Sequence, residues 1–490
     1  MKIEKVKFSL LPSTLDILNV SFKNSSQDST QKQLEGNIQT IKFKGISLLN
    51  ALFKRDIIVE DLQMSNCNIL GEYPKADSLN KAILTKLNIQ INRVFLDSIN
   101  LEIFEKSNSR SLKVTNAKIS FVHLNFKKAD TISVNHIAQI ECSVHEIKAV
   151  SRNNFYSYFI KGLQYSETNR SFTAKNFTIL PNYSDAVFAL KHELQVDRLD
   201  ATFDNIELND FKLKDFLTNE IISTSKASVN SMNIRVFHDK RRKAKHKIAN
   251  IFQELIYKYP HALRIDTISV STGNIVYLER NFYAPTPGKI FFEKVHAKII
   301  NVNNDTIYKS KPLNFQLFAQ ALLMGKGKLE VELSAPLFDK NNTFKMKGTL
   351  DRMDARELNP ALENLAFMQI KTGNLISMSF NFRADNTKAL GKMLLKYDNL
   401  KLKIINKKTN KTNGLKEAII SYFTNRQILN SNPLPGSKSR SGIINYKRNP
   451  EKFIFHYWYK SAFTGILSSI KKQPKKHRTL IQKLFGKPKK

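Results

Sequence analysis

The chain has 490 residues, of which 41% are hydrophobic, so it can bury a sizeable core and wholesale disorder is excluded. No segment approaches the roughly 18 consecutive apolar residues of a transmembrane helix, and the opening MKIEKVKFSLLP alternates like a strand, unlike a signal peptide. The net charge of +36 favours polyanionic partners such as phospholipid headgroups or nucleic acid.

Alternating apolar and polar residues recur along nearly the whole chain. Because strand side chains alternate between faces, each run has one apolar and one polar face. Asn, Asp, Gly or Ser residues close the runs and are typical of turns. The pattern predicts a mainly β fold, an elongated twisted antiparallel sheet forming an open hydrophobic groove, with a few short amphipathic helices. The clearest copies are IIVEDLQMSNCNI (57–69), LKVTNAKISFVHL (112–124), LQVDRLDATFDNIEL (194–208), LRIDTISVSTGNIVYL (263–278) and LISMSFNFRAD (375–385).

The number of runs predicts roughly twenty strands, which at about 4.8 Å per strand gives a sheet on the order of 100 Å long. Two compact β-sandwiches joined at 238–260 are the alternative. Residues 1–237 form the predicted N-terminal groove segment. Within it, 23–37 is polar and predicts a loop, while 46–53 and 211–217 are helix candidates.

The strand pattern stops at 238–260, a basic run followed by an amphipathic helix. Residues 239–247 (DKRRKAKHK) are strongly basic, and apolar residues at helical spacing follow over 248–259 until Pro260. This helix is expected to cover the end or edge of the sheet. Peripheral membrane binding through its basic lead-in is the alternative.

Strands resume over 261–405, the predicted C-terminal groove segment, with a helix candidate at 354–368. Residues 406–490 form a basic region of helices, a hairpin and a tail. Its predicted elements are a helix at 413–423, a strand pair at 442–448 and 452–460, and a short helix through Phe463, Ile466, Leu467 and Ile470.

Half of the net charge lies in the last 86 residues, which hold 20 Lys and Arg but only Glu417 and Glu451 as acidic residues. The end of this tail carries a narrow apolar stripe between basic residues. Such a stripe can fold at an anionic bilayer, so the tail is a candidate membrane-docking segment. A solubilising tail, or contact with nucleic acid or protein, are the alternatives. The docking residues would be Lys475, Lys476, Arg478, Leu480, Ile481, Lys483, Leu484 and Phe485.

The sequence shows no catalytic motif, and we expect neither enzymatic activity nor a cofactor. Ten histidines are scattered without zinc-ligand spacing, and Cys67 and Cys142 show none either, so no metal site is predicted. GKGKLE (325–330) lacks the length and ending of a P-loop. No motif for specific nucleic-acid recognition is present, which leaves only non-specific phosphate attraction.

Several segments, taken in order, resemble the AsmA-like superfamily of bacterial envelope proteins in its Bacteroidota form. No single segment is diagnostic, and their order carries the resemblance over most of the chain. The segments are FTILPNYSDAVF (177–188), SMNIRVFHDKRR (231–242), IDTISVSTGNIVYLE (265–279), GKIFFEKVHAKIINVNN (288–304), LLMGKGKLEVELSAPL (322–337), GTLDRMDARELNP (348–360), GNLISMSFNFRADNTKALGKMLLKYDNLKLKII (373–405) and RNP…WYKSAFTGI (448–466).

The resemblance implies a long curved sheet exposed to the periplasm, related to bridge-like lipid-transfer proteins, whose hydrophobic groove holds phospholipid acyl chains. It implies a periplasmic, membrane-associated protein of the cell envelope, with other envelope proteins as candidate partners. The family's N-terminal membrane helix is missing from the sequence as given, so we expect a misassigned start, a truncation or another mode of attachment. The expected groove-lining residues are Ile268, Val270, Met378, Phe380 and Phe382. The rival function is a structural scaffold whose basic C-terminal end docks a membrane or a partner.

Overall fold

The computed structural model describes residues 1–24, 33–47, 50, 56–73, 88–127, 136–244, 246–306, 313–406 and 426–472. Strands account for 62% and helices for 13% of these residues, which confirms the predicted mainly β fold. The 20 strands of the described residues belong to one mixed, mostly antiparallel sheet that is not closed, so the alternative of two sandwiches is wrong.

The strands follow one another across the sheet in chain order, except that β16 pairs directly with β18 and the short β17 also pairs with β18. The first ten are β1 (Lys2–Ser9), β2 (Thr14–Lys23), β3 (Leu34–Lys44), β4 (Asp56–Glu72), β5 (Asn88–Phe104), β6 (Ser111–Phe126), β7 (Ile137–Val150), β8 (Tyr156–Ser166), β9 (Ser171–Pro181) and β10 (Asp197–Asn209). The second ten are β11 (Ile222–Asp239), β12 (Leu263–Arg280), β13 (Gly288–Asn303), β14 (Asn314–Leu323), β15 (Gly327–Pro336), β16 (Phe344–Leu350), β17 (Met353–Asp354), β18 (Met368–Ala384), β19 (Lys388–Ile404) and β20 (Ser441–Lys447).

Most strand pairs of the described sheet are antiparallel, as predicted, but β4–β5 and β11–β12 are parallel. A parallel pair needs a connection of a dozen or more residues, long enough to return to the end where the first strand began. The connections 73–87 and 240–262 have that length. Alternation within a strand predicts its faces but not its direction, so the sequence pattern did not reveal these two pairs.

The α-helices whose bounds lie in the described part of the chain are α1 (Asp185–Leu190), α2 (Leu213–Asn219), α3 (Phe252–Tyr257), α4 (Asn359–Leu365) and the longer α5 (Ile454–Ile470). The candidate at 211–217 corresponds to α2. The candidate at 354–368 corresponds to a 3-10 helix, Ala355–Leu358, followed by α4. Helix candidates at 413–423 and over most of 46–53 lie outside the described residues.

The amphipathic helix predicted over 248–259 is shortened to α3. Its first residues are extended, because the backbone of Ala249 bonds to the carbonyl of Pro450 and to the guanidinium of Arg448. The helix starts only at Phe252, where the Glu254 carboxylate accepts a hydrogen bond of 3.1 Å from the backbone of Ile251. A tertiary contact thus overrides helical spacing in this segment.

The strand predicted at 452–460 is wrong, because α5 begins at Ile454. The buried residues of α5 recur at intervals of three and four residues, and nearly continuous apolar and aromatic residues in the sequence concealed that period. The predicted strand 442–448 matches β20, and the helix through Phe463 and Ile470 is the C-terminal half of α5. No helix in the described part of the chain is long and apolar enough to span a membrane.

Several strands contain a residue in the left-handed backbone region within their length. Asn19, Asn66, Asn116 and Asn205 have φ between 49° and 53°. Asparagine tolerates this conformation better than most residues. The sequence pattern treats such residues as turn signals, but these four lie inside β2, β4, β6 and β10. The apolar residues that flank each of these asparagines are three positions apart instead of two. The left-handed residue between them compensates for the extra position, so both apolar side chains lie on the same face.

Candidate functional site

Apolar residues of neighbouring strands stand opposite one another in rows that cross the sheet. Residues paired directly across two strands share a face, so these rows define one apolar face. A row through the N-terminal strands comprises Ile3, Val20, Ile38, Cys67, Ile99, Ala117 and Val144. A row from β9 to β18 comprises Ala174, Ile206, Val229, Val270, Ala297, Ala319, Val331, Gly348 and Phe380.

The opposite face is polar. The side-chain amide of Asn68 donates to Asn37 at 3.0 Å, and that of Asn100 donates to Asn68 at 3.0 Å, forming a ladder across β3, β4 and β5. On the same face, Lys113 forms an ion pair of 3.5 Å with Glu102. Hydrogen bonds and ion pairs therefore join side chains on this face, whereas the continuous apolar rows of the described strands lie on the other face.

In the N-terminal part of the sheet the apolar face is incompletely covered. At β1, Ile3, Val6 and Phe8 are 39%, 56% and 52% exposed. Across β2 to β12 most apolar-face side chains are half-buried, as are Ile160 and Ile206. Two small buried clusters lie within this region. They are centred on Val59, Ile91 and Val94, and on Ile137, Ile140, Tyr165 and Phe211.

In the C-terminal part the apolar face is covered and packed. Segment 251–257 and α5 lie over it, and the resulting core is the largest in the described residues. The ring of Phe252 contacts Phe315 on β14, Phe344 on β16 and Trp458 on α5, with centroids 4.9, 6.0 and 6.1 Å apart. The apolar face therefore ends in a closed core near β20.

Small residues let α5 lie directly on the last strands. A Cβ built on Gly442 would come within 2.3 Å of the Gly465 carbonyl oxygen, and one on Gly465 within 2.8 Å of Ile444. Ser468 and Thr464 of α5 accept hydrogen bonds of 3.0 and 3.2 Å from the backbone of β20. Helix α5 thus covers the free edge of β20 as well as part of the apolar face.

The five residues predicted to line a groove divide into two groups. Ile268 and Val270 are half-buried on the apolar face of β12. Met378, Phe380 and Phe382 are only 8%, 7% and 1% exposed within the C-terminal core. All three lie on the apolar face, but α5 and segment 251–257 cover them. In this structure they hold the core together and offer no surface to a ligand.

A polar cluster lies where β11 and β12 approach α5. Tyr277 donates a hydrogen bond of 2.9 Å to Glu279, whose carboxylate also pairs with Lys240. Burial, followed by the Glu279 charge and hydrogen bond, raises the pKa of Tyr277. Burial also lowers the pKa of His456 to about 4, helped by the positive charges of Lys460, Lys240 and Lys452. The cluster marks the boundary between the half-exposed and the packed parts of the face.

The described residues contain no group of three or more His, Cys, Asp or Glu that could hold a metal ion. Cys67 and Cys142 are free, and burial raises the pKa of both thiols, which disfavours the thiolate. The site has apolar area and few directional groups.

The predicted docking residues from Lys475 to Phe485 lie outside the described residues. Sequence reasoning named lining residues only on β12 and β18, and missed the half-exposed rows on β2 to β10. The sequence feature that could have revealed these rows is the spacing of apolar residues, which is two within a strand and changes to three at certain asparagines. These are Asn19, Asn66, Asn116 and Asn205.

No protein-family model matches the chain, and no curated protein matches it.

Proposed function

We propose that the protein is an AsmA-like component of the cell envelope that binds or conducts phospholipids by holding their acyl chains on the apolar face of β1–β12. The observation that carries the proposal is the unbroken register of apolar residues from Ile3 to Val144 and from Ala174 to Ala297. Several of the smaller members of these rows are buried, whereas the isoleucines Ile38, Ile99 and Ile206 beside them stay half-buried and Ile3 is exposed. Continuous exposed apolar surfaces of this extent usually mark binding sites.

Acyl chains suit this face for a physical reason. Each methylene group removed from water contributes about 0.8 kcal/mol and requires no hydrogen-bond partner. A face built from Ile, Val, Leu and Phe offers apolar contact area without directional hydrogen bonds. Acyl chains can therefore lie on it and move along it from one strand to the next. Headgroups would stay at the strand ends, where polar residues such as Glu279 and Lys240 begin.

The packed core near β20 supports a directional form of the proposal. Chains would have access to the β1–β12 portion, whereas β13 packs against the C-terminal core and Phe380 and Phe382 are covered. Lipid would therefore enter along the open portion or at β1, and passage beyond β12 would require α5 and segment 251–257 to move.

The proposed membrane partner of the tail is an anionic bilayer, contacted by the stripe at Leu480, Ile481, Leu484 and Phe485 between basic residues. Shortening the chain to end at Ile470 is expected to keep the fold and to remove part of the salt-sensitive binding to anionic vesicles. Sedimentation with vesicles at two salt concentrations measures this.

A scaffold function is the second candidate, favoured by the packed C-terminal core, which resembles a structural end more than a channel. The two functions differ in whether lipid occupies the open portion. Native mass spectrometry after gentle extraction, together with uptake of a fluorescent phospholipid, distinguishes them. Absence of both co-purifying lipid and uptake would favour the scaffold.

Two neighbouring residues on β8 sharpen the test, because Ile160 lies on the apolar face and Phe159 on the polar face. Ile160→Asp is expected to reduce lipid uptake severely, because acyl chains would have to desolvate a carboxylate. Phe159→Asp makes the same chemical change on the other face and is expected to leave uptake unchanged. Equal uptake by both variants, with their folds intact, would contradict lipid binding on the apolar face.

A further inference from the structure

Exposed aromatic side chains gather at the start of α5, on the side facing away from the core. Phe453, Phe455 and Tyr459 are 45%, 61% and 52% exposed. The rings of Phe453 and Phe455 lie 5.5 Å apart, and the ring of Phe455 lies 5.1 Å from that of Trp458. The core uses the other side of the helix, with Ile454 and Tyr457, so packing within the chain does not account for these exposed rings.

The extended segment before α3 lies against this aromatic group. The backbone of Ala249 donates a hydrogen bond of 2.8 Å to Pro450, three residues before Phe453. The next residue back, Ile248, is 71% exposed. His246 contacts Glu451 at 3.2 Å. The basic run 240–247 therefore ends beside the aromatic start of α5, although His246 and Glu451 are 205 residues apart in sequence.

The hairpin between β12 and β13 carries two more exposed rings. Phe282 and Tyr283 are 65% and 57% exposed and 5.1 Å apart. The hairpin follows Arg280, whose carbonyl accepts a hydrogen bond of 3.0 Å from Lys240. The adjacent Glu279 also forms an ion pair with Lys240. The basic run thus links the hairpin at its start to the beginning of α5 at its end.

The charge of this surface is positive after its ion pairs are counted. The carboxylates of Asp239, Glu279 and Glu451 are engaged by Arg241, Lys240 and His246. No carboxylate in the described part of the chain lies within ion-pair distance of the remaining lysines. We call this the aromatic–basic surface, made up of Lys243, Lys247, Ile248, Phe282, Tyr283, Lys452, Phe453, Phe455 and Tyr459.

We propose that the aromatic–basic surface docks the protein on an anionic phospholipid bilayer. Aromatic rings are stabilised at the boundary between headgroups and acyl chains, and lysines beside them attract anionic headgroups. An exposed isoleucine and three phenylalanines favour this partner over nucleic acid, because aliphatic and apolar groups gain by entering hydrocarbon. Docking through this surface would place the C-terminal, packed end of the sheet at the membrane. It does not depend on lipid binding by the apolar face.

The test uses the full chain and flotation with vesicles of phosphatidylcholine, with or without phosphatidylglycerol. Each lysine at an anionic surface contributes roughly fivefold to binding, so Lys243→Gln, Lys247→Gln and Lys452→Gln together should weaken it about 100-fold. The matched control is Lys345→Gln, Lys388→Gln and Lys392→Gln, which removes the same charge from the polar face. This control variant should weaken vesicle binding only slightly. Equal losses in the two triple variants would overturn the proposal.

A second pair of variants tests the aromatic contribution. Phe282→Ser with Tyr283→Ser changes only an exposed hairpin and should reduce flotation, whereas Phe95→Ser, on the polar face and 40% exposed, should not. Unchanged flotation of the hairpin variant would favour nucleic acid as the partner instead. The same conclusion would follow if a single-stranded oligonucleotide displaced the protein completely from vesicles and the aromatic changes had no effect. Uptake of fluorescent lipid in solution should be the same in all these variants, which separates docking from the proposed function.

Discussion

The ring of Tyr457 on α5 meets the ring of Phe344 on β16 edge to face, with centroids 5.9 Å apart and planes at 90°. Both side chains are almost fully buried, at 1% and 2% exposure. The hydroxyl of Tyr457 also donates a hydrogen bond of 3.1 Å to the carbonyl of Asp385, just beyond β18. This pair joins the last helix to the C-terminal strands and thereby closes that end of the apolar face.

Removing the Tyr457 ring should therefore loosen α5 from the sheet. Tyr457→Ala is expected to cost about 3–5 kcal/mol of unfolding free energy, as large-to-small changes of buried aromatics do. Tyr457→Phe keeps the ring and loses one hydrogen bond, so about 1 kcal/mol is expected. The fluorescence of Trp458, the single tryptophan of the chain, reports α5 directly during urea unfolding. Equal costs for the two variants would show that the ring does not anchor the helix.

A charge at Phe380 should unfold the C-terminal end rather than block a ligand. Phe380 is 7% exposed and stacks near Phe382, with centroids 6.1 Å apart. Phe380→Asp leaves a buried carboxylate without a partner, so we expect a loss of several kcal/mol. Asn381→Asp, on the exposed polar face, should be tolerated. Thermal unfolding of the two variants measures the difference, and an unchanged melting temperature for Phe380→Asp would restore an open groove at this position.

The sheet was predictable because alternation is a local property of the sequence, and the roughly twenty runs correspond to the 20 strands. The accessibility of the apolar face could not be predicted from the sequence. Phe380 and Ile160 have the same kind of strand environment in sequence, yet one is packed and the other half-exposed. The difference comes from α5 and segment 251–257, which are distant in sequence. Their positions depend on close contacts at Gly442 and Gly465 that no periodicity reveals.

The left-handed asparagines offer a test of how the strands keep one apolar face. Asn116 has a φ of 49° inside β6, where a β-branched residue is strongly disfavoured. Asn116→Val is expected to cost about 1–3 kcal/mol, whereas Asn116→Gly should be neutral or slightly stabilising. Thr115→Val, one residue away, serves as the control with ordinary strand geometry. Urea denaturation gives the three free energies. A tolerated valine at 116 would mean that the strand does not require this conformation.

The packing of α5 should weaken in acid through His456. Its Nδ1 atom is buried without a hydrogen-bond partner in the described residues, and its pKa is lowered from 6.5 to about 4. Since the folded pKa of this base is depressed, its contribution to stability is present above about pH 6.5 and is lost as the pH falls towards 4. His456→Phe should therefore lose less melting temperature between pH 7.5 and 4.5 than the unchanged protein. Parallel losses in both proteins would assign the acid sensitivity to other groups.

The free edge of β20 should become accessible when two hydroxyl groups of α5 are removed. Ser468 and Thr464 accept hydrogen bonds from the backbone of Ile443 and Asn445, which occupy the side of β20 away from β19. An unprotected sheet edge is a template for pairing with another chain. Thr464→Val combined with Ser468→Ala is expected to speed amide hydrogen exchange at these two residues and to promote concentration-dependent association. Ser461→Ala, whose hydroxyl bonds only within α5, is the matched control. If exchange at Ile443 and Asn445 stays as slow as in that control, the hydroxyl groups do not protect the edge, and the body of the helix alone must do so.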